Sequence, residues 1–341
     1  MRQIAIARHG GPEALVLLEG EDPTAGAGEI RIRVRAAGVN FADVLARMGL
    51  YPDAPPLPFV PGYEVSGVVD QVGPGVERFA TGDRVLALTR FAGYSDVVVV
   101  PEGHAVSIPQ GKDFEAAAAL PVNYLTAFLM LERLACLQQG DRVLIHGAGG
   151  GVGLAALQIA KARGARTFGT ASAAKHERLK AMGLDHPIDY RTQDFEAVIH
   201  ELTDGKGVDV ALDPNGGESA RKSYRSLAPL GRLVLFGLAS SSGSGRRRNI
   251  ATAAKALART PIYHPIKLMN DNKGVIGVNL GRLWTEGEKV RAMLAEIVRR
   301  WGEGELSPTI DSTFPLEEAA AAHERLHERR NFGKTLLTVG A

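Results

Sequence analysis

The sequence predicts an α/β protein in which a β-rich segment accompanies a doubly wound parallel sheet. Short β-like runs crowd residues 1 to about 120, and from about residue 121 apolar strand runs alternate with helical patterns. A glycine-dense turn, HGAGGGVG over residues 146–153, joins one of those strands to a helix. At 341 residues the chain is too long for one typical domain and suits two.

In the first segment IRIRVRAAGV alternates polar and apolar side chains, the period-2 mark of a half-buried strand. VSGVVDQVG, DRVLAL and SDVVVV are further strands, parted by turns such as Gly73-Pro74-Gly75 and Thr81-Gly82-Asp83. This composition predicts an all-β segment with little room for helices. The second segment reads RVLIHG, GVGLAALQIAKARG, RTFGTA, KHERLKAMG, VDVALD, a helix over Ala220–Leu227, RLVLFG and GVIGVNL. Strands followed by crossover helices imply parallel pairing. A helix from about Thr285 to Trp301, the amphipathic PLEEAAAAHERLHERR and the strand KTLLTVG follow, and are expected to return to the first domain. The domains are thus expected at 1–121 with 282–341, and at 122–281.

Composition narrows the function classes. Hydrophobic residues at 45% and charged residues at 23% are ordinary for a globular protein, and a net charge of +2 makes no case for nucleic acid or an acidic membrane. The basic run Arg246-Arg247-Arg248 follows a Ser/Gly-rich turn and reads as a solvated loop. The single cysteine, Cys136, precludes an internal disulfide and points to a reducing, cytoplasmic setting. Its stretch, TAFLMLERLACLQ, is apolar and helical, so it is expected in the core rather than as a nucleophile. The start, MRQIAIARHGGPEAL, reads as a strand and a turn, not a leader. AAAALPVNYLTAFLML is interrupted by Pro121 and Asn123 and is too short to cross a bilayer.

The glycine-dense turn is the best local signal. Ala148, Gly150 and Gly153 take the three small positions of an A-x-G-x-x-G fingerprint, and Gly151 and Val152 open the helix. Small residues let the backbone turn tightly and approach a pyrophosphate, and the free amides and positive end of the helix face it. An NAD site usually carries Asp or Glu at the end of the second strand. Here that end offers Gly169, Thr170, Ala171 and Ser172, with Lys175 following and Tyr190 after the third strand. Hydroxyls and an ammonium would bind a 2′-phosphate, which favours NADPH. Lys175 alone equally suits the opening of an exposed helix.

The stretches AAGVNFADVLARMGLYPDAPPLPFVPGYEVSGVV, LPVNYLTAFLML, HGAGGGVGLAALQIAK, FGTASAAKHERLKAMG, HPIDYRTQDF, VDVALDPNGG, GVNLGRLW and NFGKTLLTV run in order over nearly the whole chain. In them the sequence resembles the zinc-independent quinone oxidoreductases of the medium-chain dehydrogenase/reductase superfamily. This is the zeta-crystallin-like group, and within it the synaptic-vesicle membrane protein type. The resemblance implies a GroES-like β domain from the two chain ends, a central Rossmann domain, an active site in the cleft between them, and a homodimer paired through GVIGVNL.

The resemblance also assigns residues. Zinc-dependent relatives carry Cys in the motif that here reads GVNFAD and His in the one that here reads GYEVSG. Asn40 and Tyr63 stand there, so no usual Cys/His zinc site can be assembled. Without that Lewis acid, alcohol oxidation loses the group that stabilises an alkoxide, whereas a conjugated acceptor is already electron-poor. Asn40 is expected near the nicotinamide, its amide bonding a carbonyl or the ribose, and Asp43 orients the loop. Tyr51 falls eleven residues after Asn40. It suits a proton donor or carbonyl partner and equally an aromatic plug. Thr126 should lie beneath the nicotinamide, with the Asp213–Gly217 turn and Phe236-Gly237 flanking the cofactor, although Asn215 stands where an apolar residue is common. Asn279 should face the pocket, and Asn331 and Lys334 should close over the cofactor. The implied activity is NADPH-dependent reduction of a quinone or an α,β-unsaturated carbonyl compound. A lipid- or membrane-associated NADPH-responsive binding protein is the alternative, for which no basic amphipathic helix is visible.

Overall fold

The computed structural model describes residues 1–239 and 258–340. The Arg246-Arg247-Arg248 run lies outside the described residues. The described chain divides into two compact units, one of Met1–Leu125 with residues 280–340, the other of residues 126–239 and 258–279.

In the first unit β1 (Arg2–Ile6) and β2 (Leu15–Glu19) form an antiparallel ribbon. The main sheet is built from β3 (Glu29–Val39), β4 (Glu64–Val72), β5 (Arg84–Leu88), β6 (Val97–Pro101), β7 (Ala105–Ser107), β14 (Ile310–Pro315) and β15 (Lys334–Thr338). Its order is β14-β15-β3-β4-β5-β7, with β6 also on β3. The apolar alternation of β3 puts Ile30, Ile32 and Val34 into one core with Val65, Val85, Val98 and Leu337. The C-terminal segment enters this core: β15 pairs antiparallel with β3, and Leu326 packs there from the helix Ala319–His327.

The expectation of an all-β segment is corrected. A helix, α1 (Phe41–Arg47), follows β3 directly, because Asn40 and Asp43 form a reciprocal capping box at its start. A shorter one, α2 (Phe114–Ala118), is capped by Asp113. Short helices whose buried face is set by the sheet leave little periodicity to read.

The second unit contains a parallel sheet of β8 (Arg142–His146), β9 (Arg166–Ala171), β10 (His186–Asp189), β11 (Val208–Asp213), β12 (Leu227–Leu235) and β13 (Gly274–Gly277). Its order, β10-β9-β8-β11-β12-β13, reverses between β8 and β11. That reversal is the switch point at which doubly wound sheets bind dinucleotides. After α3 (Pro121–Phe128), the crossover helices are α4 (Gly151–Ala162), α5 (His176–Ala181), α6 (Phe195–Leu202) and α7 (Gly217–Arg225). The helix expected over Ala220–Leu227 starts three residues earlier, because Gly216 and Gly217, both at positive φ, turn the chain directly into it. Leu227 belongs to β12.

Cys136 is exposed, not in the core as expected. The helix after Phe128 loosens into a π turn over Leu129–Leu134, and Cys136 then adopts φ 49°, which turns its side chain outward while Ala135 and Leu137 stay buried. Among the described residues no helix is long and apolar enough to cross a membrane.

Candidate active site

In the second unit the glycine turn leaves β8 and enters α4 at the switch point. Gly150 is the N-cap of α4, so the amides of Gly151, Val152 and Gly153 have no partner within the helix. The small residues are required by contact. A Cβ on Gly153 would lie 2.4 Å from the Gly147 carbonyl oxygen, and one on Gly169 would lie 2.8 Å from Ala148 Cβ. Such close approach is the cradle that a pyrophosphate needs.

The parallel register sets Ala171 beside Asp189, so Ser172 and Tyr190 leave adjacent strands side by side. Ser172 caps the turn that carries Lys175, and Tyr190 is 43% exposed with the Arg191 guanidinium 5.9 Å from its ring centroid. Arg191 is a neighbouring cation that the sequence reading missed. Thr170 departs from expectation. It is buried, its hydroxyl lies 3.0 Å from His146 Nδ1 and accepts from the Gly147 amide at 3.3 Å, so it serves the turn rather than an exposed phosphate site.

Asp213 also faces inward. Its carboxylate is fully buried: one oxygen accepts from the Asn215 and Gly216 amides at 2.7 and 3.0 Å, the other from the Ser219 and Ser223 hydroxyls at 2.7 and 3.0 Å. It closes the DPNGG turn. Asn215 joins the closure through Ser219 at 3.3 Å. Phe236 donates its amide to the Asp213 carbonyl at 3.2 Å, and Gly237 is glycine because a Cβ would meet the Pro214 carbonyl oxygen at 2.7 Å. Thr126 is buried on α3, and Asn279 is exposed just beyond β13.

The first unit holds a buried polar cluster. Glu64, at the start of β4, accepts from the Asn40 amide at 2.9 Å, from the Val122 amide at 2.7 Å and from the Lys334 ammonium. Lys334 also donates to Asn40 Oδ1 at 2.7 Å. A Cβ on Gly38 would strike the Glu64 carboxylate at 2.4 Å, which explains the glycine in GVNFAD. Asn40 was expected to offer its amide to a ligand, and Lys334 to close over one. Both are instead engaged inward, because a buried carboxylate demands a counter-cation and donors. Asn331 donates to the Gly333 carbonyl at 3.0 Å and shapes the turn into β15.

Asp43 is fully buried, accepting from the Asn40 and Gly62 amides at 2.8 and 3.0 Å and from the Tyr94 hydroxyl at 3.1 Å. Burial pushes its carboxyl up to about 7 against these stabilising bonds. Tyr51 is half-buried, edge-on to Tyr63 with centroids 6.1 Å apart, and Tyr63 leans on Phe91 at 5.0 Å. Burial raises the Tyr51 phenol, so it stays protonated at neutral pH. The Tyr63 hydroxyl is buried, and the two phenols influence each other's protonation. Glu64 was legible only as a carboxylate opening an apolar strand run.

Two family models match the chain: an alcohol dehydrogenase GroES-like domain over residues 26–110 and a zinc-binding dehydrogenase domain over residues 182–337. The chain belongs to the medium-chain dehydrogenase/reductase superfamily, as an oxidoreductase-type member with a GroES-like domain and a Rossmann-type sheet. Within it, the human synaptic vesicle membrane protein VAT-1 homolog is 42% identical over 319 residues, covering 93% of this chain and 81% of that protein. The Escherichia coli quinone oxidoreductase solved with NADPH superposes with a TM-score of 0.87 at 31% identity, covering 99% of this chain and 100% of that one. The CurK enoyl reductase superposes at 0.85 and 31% identity over 99% of both chains. These neighbours support a pyridine nucleotide as cofactor.

The zinc named by one family model does not fit here. Asn40 and Tyr63 supply no thiolate or imidazole, and the Asn40 oxygen already faces an ammonium that would repel a divalent cation. Among the described residues no group of three or more His, Cys, Asp or Glu side chains could hold a metal.

Proposed function

We propose that this protein reduces quinones or α,β-unsaturated carbonyl compounds with NADPH, without zinc. The observation that carries the reading is the phosphate cradle at the start of α4, beside a β9 end with no carboxylate and with Ser172, Lys175 and Tyr190 gathered there. A 2′-phosphate would meet hydroxyl, phenol and ammonium donors, while the Asp189 carboxylate at the neighbouring strand end accepts from the Arg191 amide and the Thr192 hydroxyl at 3.1 and 3.2 Å. When bound, the nicotinamide supplies a hydride to an electron-poor carbon or oxygen of the acceptor. Tyr51, held protonated by burial, supplies the proton that completes reduction and regains one from solvent. The Glu64–Lys334 pair fixes Asn40, and Asn40 with Asp43 fixes the start of α1, the helix that precedes Tyr51. Nucleotide consumption over a panel of quinones, enones and enals tests the reading. NADPH should serve at least one class far better than NADH; equal use of both would overturn the cofactor assignment, and no turnover with any acceptor would overturn the activity.

The reading extends to a homodimer in the reducing setting that the single cysteine favours. β13 is the last strand in its sheet order, and in the segment just before it Ile262, Ile266 and Met269 are 97%, 61% and 73% exposed. A strand edge and exposed apolar side chains in the segment leading to it suit a second copy. A bilayer would be the other occupant, and flotation with liposomes would reveal it.

A further inference from the structure

A chain of buried side chains in the second unit links the Gly147 amide to Asp213 through His146. Gly147 N–H can only donate, so Thr170 Oγ1, 3.3 Å away, accepts from it. The Thr170 hydroxyl hydrogen is then free for His146 Nδ1 at 3.0 Å. At the other end Ser223 donates to Asp213 Oδ2 at 3.0 Å, which leaves the Ser223 oxygen to accept from His146 Nε2 at 2.9 Å. The Ser223 link requires a proton on Nε2, and an imidazole that is neutral leaves Nδ1 to accept the Thr170 hydroxyl hydrogen. Burial, which depresses the imidazole's affinity for a second proton, favours that form despite nearby Asp213. Phe195 stands edge-on to the ring at 4.5 Å and holds its plane.

We propose that His146 is the positioning residue of the dinucleotide turn, orienting the Thr170 hydroxyl so that it holds the Gly147 amide. Thr170 grips two consecutive amides, Gly147 through its side chain and Ala148 through its carbonyl at 3.0 Å. The Gly147 carbonyl in turn accepts from Gly150 at 2.8 Å and abuts Gly153. Placing Gly147 therefore places both glycines of the cradle. The inference rests on the dinucleotide reading, yet its anchor contacts need no bound ligand.

The test separates the two ends of the imidazole. In H146N the side-chain oxygen can replace Nδ1 and serve Thr170; in H146Q the amide nitrogen can replace Nε2 and serve Ser223. NADPH dissociation constants are read from nicotinamide fluorescence, Tm from thermal unfolding, and exchange of the peptide bearing the Gly147 and Ala148 amides by hydrogen–deuterium mass spectrometry on the nucleotide-free protein. H146Q and T170V should weaken NADPH about tenfold, the scale of one buried hydrogen bond, and speed exchange of that peptide. H146N and T170S should rescue most of both losses. H146Q behaving as wild type, or H146N and H146Q losing affinity only in step with Tm, would overturn the proposal. If wild type binds neither NADPH nor NADH, the dinucleotide reading falls, while the exchange data still decide whether His146 holds the turn.

Discussion

Asn40, Glu64 and Lys334 show how a buried charge organises its surroundings. Both charged side chains are almost fully buried, at 0% and 3%. Removing the cation alone would strand the carboxylate, so Lys334→Met should destabilise the protein by about 3–5 kcal/mol, measured by urea unfolding. A cost below about 1 kcal/mol, the scale of an exposed pair, would show that the pair is not buried in solution. Asp43 carries the opposite sign from most carboxylates. Its pKa is raised from 3.8 to about 7, so the folded state holds a proton that the unfolded state releases across that window. Stability should therefore fall as pH rises from about 4 to about 7 through this group. Asp43→Asn, which cannot titrate, should gain on wild type over that window, and a pH-independent gap in urea midpoints would refute the assignment. At this scale the sequence revealed residue types but not partners: Asn40 and Lys334 are 294 positions apart, and only folding brings them within 2.7 Å.

Among elements, the β8–α4 turn was the most legible, because a strand, a glycine fingerprint and a helix follow each other locally. Gly153→Ala should displace the turn and weaken nucleotide binding at least about tenfold by fluorescence titration, since the added methyl has nowhere to go. The β9 end should decide cofactor choice. Ser172→Asp, placing a carboxylate beside Tyr190, should raise KM for NADPH about tenfold while moving KM for NADH little, as expected for charge repulsion with a 2′-phosphate. Equal effects on both nucleotides would remove Ser172 from the phosphate site. The short helix α1 was illegible as a helix, since seven residues after a strand carry too little period. Thr170 and Asp213 were found by position, but their inward orientation was not, because it depends on His146 and Ser223 across neighbouring elements.

On the scale of the whole molecule, the two chain ends meet in one sheet through β15 on β3, so the first unit cannot be completed until residue 338 is in place. The exposed apolar side chains in the segment before β13 carry the dimer proposal. Ile266→Glu with Met269→Glu should shift the protein from dimer to monomer in sedimentation velocity without lowering Tm by more than a few degrees; an unchanged dimer would exclude this face.

Periodicity, glycine punctuation and the lack of an acid after β9 are properties of neighbouring residues, and they determined the strand–helix alternation, the dinucleotide turn and the absence of Cys/His zinc ligands. Which polar groups face inward was decided by tertiary packing, because a buried charge or hydroxyl must find its partner wherever the fold supplies one. Asn40, Lys334, Thr170 and Asp213 turned inward for that reason, and Cys136 turned outward because a local π turn overrode the helical pattern around it.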